Sequence, residues 1–216
     1  MKKPTYIVNG AGSSIGTMLC KNLSKQGLVI GLDQNKSSLE QLSEELQDAI
    51  LIEVLDGTEL QVEKIAVQLQ KESLIPEALF HCNITTGTLA PLQELSFAEW
   101  KQIFNIYLDT IFLLDLKIIP LFAHHQASIF YHHSETPKHY WGALSIAQSG
   151  LRSYIEERIF EEKLLIYGIA VPKLQCPERQ QSHPGSDLKQ YPTPDSLWPF
   201  YQNLLLEKQS SGFLSI

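Results

Sequence analysis

The chain lacks the residue patterns that mark nucleic-acid-binding and disulfide-stabilised proteins. It has 17 Lys and Arg against 24 Asp and Glu, a formal net charge of -7. Surfaces that bind nucleic acids need clustered cations, so we expect no nucleic-acid partner. The three cysteines, Cys20, Cys82 and Cys176, are far apart and have neither zinc-site nor disulfide-framework spacing. This cysteine usage indicates a reducing compartment, and we expect a cytoplasmic protein.

Long uninterrupted apolar runs are also missing. The most apolar stretch, Ile111 to Phe122, is interrupted by Asp115, Lys117 and Pro120, so it falls short of a membrane span. The apolar run Tyr6 to Val8 near the start is too short for the core of a signal peptide. The sequence therefore predicts no membrane partner.

Short β-branched runs alternate with longer amphipathic segments, the pattern of parallel strands joined by crossover helices. The predicted strands are Thr5–Val8, Leu28–Leu32, Ile50–Val54, Ala78–Cys82, Ser128–Tyr131, Leu164–Val171 and Gly212–Ile216. The predicted helices are Ile15–Gln26, Ser37–Leu46, Glu59–Lys71, Ser96–Phe122, Tyr140–Glu162 and Ser196–Glu207. We expect one α/β domain over residues 1–216, a doubly wound sheet of about seven mainly parallel strands with helices on both faces.

Two details refine this outline. Ser37 with Glu40, and Ser96 with Glu99, have the spacing of a capping box and predict helix starts. Residues 175–193 are rich in Pro, Gln, Ser and charge and are predicted to form a loop on the substrate side of the sheet.

A glycine-rich turn, Asn9 to Gly16, follows the first strand and opens the first helix. Glycines allow close backbone approach to a phosphate, and free amides at a helix start attract anions. Asp33 ends the second predicted strand, where a carboxylate can accept hydrogen bonds from a ribose 2′-hydroxyl. This combination predicts a Rossmann-type dinucleotide site. The alternative is that Gly10, Gly12 and Gly16 serve only packing and that Asp33 is a solvated carboxylate.

The same acid bears on the choice of cofactor. Asp33 would repel a 2′-phosphate, and no arginine follows the glycine turn, so NAD(H) is preferred over NADP(H). Lys36 lies close enough in sequence to moderate that preference. The sequence also leaves open that the protein binds no cofactor.

These segments resemble the short-chain dehydrogenase/reductase family over almost the whole chain. The family's Thr-Gly-x-x-x-Gly-x-Gly turn matches Asn9 to Gly16, with Ser14 at a usual glycine position, and the family's Asn-Asn-Ala-Gly reads His81-Cys82-Asn83-Ile84 here. Asp56 matches the acid that in the family lies near the adenine. The cofactor-binding residues that the motif and the resemblance imply are Gly10, Gly12, Ser13, Ser14, Ile15, Gly16, Asp33, Asp56 and Asn83.

The resemblance also identifies where the family's catalytic tyrosine and lysine should be. Trp141-Gly142-Ala143 aligns Leu144 with the tyrosine and Gln148 with the lysine, and neither can perform the role. No Tyr-x-x-x-Lys occurs anywhere in the sequence, and the nearest imitation is Tyr154 with Arg158.

The family's other catalytic positions are altered as well. Its helix asparagine falls on Tyr107, with Asn105 two residues early, and its serine falls on His133 or Ser134.

Histidines and aromatics stand at the ends of the fourth and fifth strands instead, namely His81, Cys82, Tyr131, His132 and His133. One hypothesis is that His132 or His133 forms an acid/base pair with Tyr140, or that the cluster binds a metal. The favoured interpretation is that these side chains pack or meet solvent, because the sequence shows no carboxylate partner for them. We assign no metal site, and the catalytic candidates are Ser134, Tyr140 and His133.

Three functions remain open. The first is a dinucleotide-binding family member without tyrosine–lysine catalysis, in a regulatory or structural role. The second is an active NAD(H)-dependent oxidoreductase that acts on a carbonyl or alcohol through other residues, and the third is a cofactor-free scaffold for a protein partner. The helix 96–122 is apolar around much of its circumference. By resemblance, helices 96–122 and 140–162 would pair across a two-fold axis, so we expect a homo-oligomer.

Overall fold

The computed structural model describes residues 3–46, 49–53, 58–83, 89–122, 127–133 and 141–216. Its centre is a parallel seven-stranded sheet of order β3-β2-β1-β4-β5-β6-β7. The strands are β1 Thr5–Asn9, β2 Leu28–Asp33, β3 Ala49–Glu53, β4 Pro76–His81, β5 Ser128–His133, β6 Leu165–Ala170 and β7 Gly212–Ser215. The order reverses between β1 and β4, which makes this the doubly wound fold that the sequence predicts.

Helices cover both faces of the sheet. They are α1 Ser14–Leu23, α2 Lys36–Glu45, α3 Glu59–Lys71, α4 Phe97–Phe104, α5 Thr110–Ile118, α6 Gly142–Glu161, α7 Pro177–Ser182 and α8 Trp198–Glu207. Side chains that alternate along each strand feed two cores, as Ile7 and Val8 of β1 illustrate. One core lies under α3, α4, α5 and α6, and the other under α1, α2 and α8. No helix among the described residues is long and apolar enough to span a membrane.

The segment predicted as one long helix, 96–122, contains a π-helical turn. Asn105–Asp109 separates α4 from α5, with the amide of Thr110 donating to the carbonyl of Asn105. A π turn leaves a carbonyl without its usual helical donor, and such turns often border functional sites. Here the side-chain amide of Asn83 donates to the Ile106 carbonyl at 3.2 Å. The turn thereby ties the helix to the residue that follows β4.

Two predictions about local structure were wrong. The helix α2 begins at Lys36, and its N-cap is Asn35, whose side chain accepts from the Ser38 amide, rather than Ser37. The loop 175–193 contains the short helix α7 and a 3-10 turn, Leu188–Gln190. Pro177 at the first helical position is the local reason for α7, because its fixed φ suits a helix start. The capping box of Ser96 and Glu99 is confirmed.

Candidate functional site

The glycine turn between β1 and α1 depends on missing side chains. Gly10 has φ +83, and a Cβ there would lie 2.7 Å from the Asn83 side chain. A Cβ on Gly16 would lie 2.0 Å from the Gly10 carbonyl oxygen. The turn can therefore close tightly against β4 and start α1 only because these positions are glycine.

A cleft of about 700 Å³ opens beside this turn, at the carboxyl ends of β1, β2 and β4. Ligands of open α/β sheets bind at this edge, where the strand order reverses. The residues that line the cleft include the predicted Gly10, Gly12, Ser13, Asp33 and Asn83. Its far wall carries Thr110, whose buried hydroxyl has no hydrogen-bond partner among the described residues. The cleft thus gathers most of the predicted cofactor residues at one place.

Asp33 is held rigidly at the mouth of the cleft. Its Oδ2 accepts from the Gly12 amide and its Oδ1 from the Asn35 amide, each at 2.8 Å. These bonds fix the carboxylate at the end of β2 and leave each oxygen a further lone pair for a ligand hydroxyl. The nearby Lys36 is exposed, and its ammonium lies 3.9 Å from Glu40 rather than on Asp33.

The first turn of α1 already binds a carboxylate of the chain. Ser13 accepts from the Gly16 amide with its hydroxyl at 3.0 Å. The Ser14 amide donates to Oε1 of Glu178 at 2.8 Å, and the Ser14 hydroxyl donates to Oε2 at 2.6 Å. Helix N-termini favour anions through free amides and the helix dipole. Glu178, from α7, therefore lies at the position where a dinucleotide pyrophosphate would be expected.

The family's catalytic positions on α6 are described by the structure. Leu144 is buried, with 3% of its surface exposed, and packs in the core beneath the sheet. Gln148 lies one turn later on the same helix and is half-buried. Neither side chain offers the acidic hydroxyl or the cation that the chemistry of the family requires.

Tyr154 with Arg158 does not replace that pair. The Tyr154 hydroxyl donates to Oδ2 of Asp115 at 2.7 Å, and the Arg158 guanidinium lies 5.9 Å from the Tyr154 ring centroid. Burial and then the charge of Asp115 raise the pKa of Tyr154 above its usual value. A tyrosine that exchanges protons near neutrality needs a lowered pKa, so this hydroxyl is set for structure rather than proton transfer.

The histidine cluster has a carboxylate partner that the sequence interpretation did not find. Oδ1 of Asp115 lies 2.9 Å from Nε2 of His81, and both residues are 1% exposed. Nδ1 of His81 accepts from the Asn9 side-chain amide at 3.2 Å, so Nε2 carries the proton and donates to Asp115. Tyr131 donates to the same carboxylate and stacks on His81, with ring centroids 4.9 Å apart. The statement that these histidines lack a carboxylate partner was wrong.

His132 is fixed as a neutral side chain on the opposite face of the sheet. Its Nδ1 donates to the His81 carbonyl at 2.7 Å, and its Nε2 accepts from the Tyr201 hydroxyl at 2.7 Å. Burial lowers the pKa of His132 to about 4, and only the His81 carbonyl opposes this shift. A histidine that stays neutral and has both nitrogens engaged is a structural group.

The remaining predicted site residues lie elsewhere. His133 is buried and packs edge-on against the Phe213 ring, 5.5 Å between centroids. Burial raises the pKa of the Cys82 thiol well above its usual value, so the thiol stays protonated. Asp56, Ser134 and Tyr140 lie outside the described residues. Among the residues that the structure does describe, no three His, Cys, Asp or Glu side chains are grouped to hold a metal ion.

Comparison with known proteins decides the family. A family model described as short chain dehydrogenase matches residues 4–144. The chain belongs to the short chain dehydrogenase family. No curated protein matches it. The match agrees with the glycine turn, the sheet order and the resemblance of the sequence.

Solved structures agree with this family in fold. A short chain dehydrogenase from Salmonella enterica is 16% identical with a TM-score of 0.86, covering 99% of this chain and 96% of that one. A structure from Shigella flexneri complexed with NADP is 19% identical with a TM-score of 0.88, covering 100% and 97%. One from Escherichia coli complexed with NADPH is 18% identical with a TM-score of 0.88, covering 100% and 96%.

Two contacts of this short chain dehydrogenase family member were missed from the sequence. Glu178 lies in a segment interpreted as an unstructured loop, and 164 positions separate it from Ser14. Asp115 was noted only as an interruption of an apolar run. A lone acid in an otherwise apolar helix was the available signal, because a buried carboxylate requires donors.

Proposed function

We propose that this short chain dehydrogenase family member binds a nicotinamide dinucleotide and does not use the family's tyrosine–lysine chemistry, so that its role is regulatory or structural. The observation that carries the proposal is the contrast between two parts of one site. The glycine turn, Asp33 and the cleft remain suited to a dinucleotide. The adjoining helix α6 presents Leu144 and Gln148 where a proton donor and a cation would be needed.

Different residues of the chain would contact different parts of the dinucleotide. Gly10, Gly16 and the first amides of α1 provide the turn and the anion position for the pyrophosphate. Asp33 accepts from a ribose hydroxyl at the mouth of the cleft, and Asn83 forms its inner wall. Asp56 remains a proposed adenine contact. The bound group would supply a hydride donor or acceptor, but Leu144 and Gln148, at the family's catalytic positions on α6, offer no partner for proton transfer.

NAD(H) is the preferred dinucleotide. Asp33 is fixed at the end of β2 by the amides of Gly12 and Asn35. A 2′-phosphate beside this carboxylate would meet like charge, whereas a 2′-hydroxyl would gain an acceptor. The structures from Shigella flexneri and Escherichia coli hold NADP and NADPH, so both dinucleotides belong in the test.

Calorimetric titration with NADH and NADPH, followed by a turnover assay on the same preparation, tests the proposal. We expect saturable binding, tighter for NADH, and no loss of NADH above the protein-free rate with a panel of aldehydes and ketones. Turnover would favour the active oxidoreductase, and variants His133→Ala, Ser134→Ala and Tyr140→Phe would then locate its groups. Failure to bind either dinucleotide would favour the cofactor-free scaffold.

We also propose a homo-oligomer. Phe112 and Leu116 on α5 are 51% and 50% exposed, and Ile146 on the neighbouring α6 is also exposed. These apolar side chains lie on the two helices that the resemblance assigns to the subunit interface, and large exposed apolar side chains on those helices favour a protein partner there. The free thiols of Cys20, Cys82 and Cys176 support the expected cytoplasmic location.

A further inference from the structure

The contact between Ser14 and Glu178 connects the cofactor cleft to α7. Building on the proposed function, we infer that Glu178 is an internal competitor of the dinucleotide pyrophosphate, which holds α7 as a closed lid over the glycine turn. Dinucleotide binding then requires Glu178 to leave Ser14. The affinity of the cleft is set by how often α7 opens.

The carboxylate and a pyrophosphate would use the same donors. Glu178 accepts from both the amide and the hydroxyl of Ser14, at 2.8 and 2.6 Å, in the first turn of the ten-residue helix α1. The carboxylate also lines the dinucleotide cleft. Two anions cannot share one set of donors without strong repulsion, so occupation by one excludes the other. Ser14, at the family's glycine position, supplies the hydroxyl that strengthens the internal contact.

The lid is built so that it can open at small cost. The helix α7 has six residues, all described, and none of them is buried. Among the described residues, the other polar contacts of α7 stay within the loop: the Ser182 hydroxyl donates to the Glu178 carbonyl, Gln180 donates to the Pro184 carbonyl, and Arg179 covers the Tyr191 ring. Short helices without buried side chains have low local stability. Glu178 is therefore the polar link between a weakly held helix and the cleft.

The closed lid lowers the apparent affinity for the dinucleotide, and the size of this effect follows from the open fraction. Apparent affinity falls in proportion to the fraction of molecules in which the site is open. The hydrogen bonds from Ser14 to the charged carboxylate stabilise the closed state enough to keep the open fraction at about a tenth or less. Asp33 adds a second negative charge to the same cleft, so removal of Glu178 leaves one acid there instead of two.

The experiment compares four full-length proteins: wild type, Glu178→Ala, Glu178→Gln and the control Glu44→Gln. Glu44 is an exposed acid near the end of α2, so its variant makes the same charge change away from the turn. Each protein is titrated with NADH, ADP-ribose and adenosine. We expect both Glu178 variants to bind NADH and ADP-ribose about tenfold more tightly than wild type and control. Adenosine has no pyrophosphate, so its affinity should stay unchanged.

Each alternative result is decisive. Equal NADH affinities in all four proteins, or an equal gain for adenosine, would overturn the competitor role while leaving the proposed function intact. Failure of all four proteins to bind NADH, together with failure of the wild type to bind NADPH in the calorimetric titration above, would overturn the proposed function and this inference together. Glu178→Gln keeps the size of the side chain, and so serves if the alanine variant is unstable.

Hydrogen exchange gives a second readout that does not depend on affinity. We expect saturating NADH to speed exchange in the α7 segment of the wild type while the glycine turn stays protected. Unchanged exchange in α7 on NADH binding would contradict the lid.

Discussion

Nε2 of His81 donates to Oδ1 of Asp115 across 2.9 Å in the interior of the protein. Tyr131 and Tyr154 donate to the other carboxylate oxygen. One carboxylate thus joins β4, β5, α5 and α6. Buried charges persist in proteins when surrounding donors satisfy them, as they do here. The group holds α5 and α6 against the sheet edge that carries the cleft.

Replacing the carboxylate should destabilise the fold strongly. Asp115→Ala leaves His81, Tyr131 and Tyr154 as buried donors without an acceptor, and we expect a loss of about 3 kcal/mol or more in the free energy of unfolding. Asp115→Asn keeps one acceptor oxygen, so its free energy of unfolding should fall by less. Urea unfolding followed by circular dichroism measures both. The exposed neighbour Asp109 provides the control, since Asp109→Asn should change stability by about 0.5 kcal/mol or less.

The stability of the protein should fall as the pH drops below the pKa of an ordinary histidine. The pKa of His132 is lowered from 6.5 to about 4 by burial, with His81 and His133 close by. His132 therefore takes up a proton near pH 6.5 in the unfolded chain but only near pH 4 in the folded chain. The contribution of His132 to the free energy of unfolding is fully present above pH 6.5. It is lost as the pH falls from 6.5 to 4, a total of about 3 kcal/mol.

Urea midpoints measured between pH 7 and pH 4 test this slope. We expect His132→Leu to be less stable at neutral pH, since the Tyr201 hydroxyl loses its acceptor, but to have a flatter pH dependence. His183→Asn, on the half-buried histidine after α7, should keep the wild-type slope. An unchanged slope in His132→Leu would mean that other groups cause the acid sensitivity.

The cofactor preference should depend on Asp33. Asp33→Ser removes the charge that faces a 2′-phosphate, so we expect NADPH affinity to rise relative to NADH by about tenfold. Gly12 and Asn35 lose their acceptor in this variant, and melting temperatures therefore accompany the titrations. Asp187→Ser, on an exposed acid of the loop 175–193, should leave the ratio unchanged. An unaltered ratio in Asp33→Ser would assign the choice of dinucleotide to other residues.

The exposed apolar side chains of α5 should hold subunits together. Phe112→Asp with Leu116→Asp places two charges on that face, and we expect the protein to become monomeric in light scattering without losing its circular dichroism spectrum. Leu206 on α8 is 72% exposed and lies on the other face of the sheet, so Leu206→Asp is the matched control. A wild type that is monomeric at micromolar concentration would contradict the interface.

The fold could be predicted because its signals are local. The alternation of short β-branched runs with amphipathic segments, the glycine turn at Gly10 and the capping box at Ser96 each depend on neighbours in sequence, and all are present in the structure. The cap of α2 was misplaced because Asn35 and Ser37 are both good caps, and only the backbone decides between them.

The contacts inside the site could not be predicted in the same way. The π turn at Asn105–Asp109 changes which residues of the following helix face the sheet, so ordinary helical spacing could not identify Asp115 as the partner of His81. The contact of Ser14 with Glu178, on α7, joins two residues that are 164 positions apart in the sequence. Such pairings depend on the packed fold rather than on any local pattern.

A crystal structure of the protein soaked with NAD tests the central claim most directly. We predict a dinucleotide along the carboxyl ends of β1, β2 and β4, with Glu178 displaced from Ser14 and with Leu144 and Gln148 as the nearest α6 side chains to the nicotinamide. A nicotinamide that instead meets a tyrosine hydroxyl beside a lysine ammonium would contradict the account.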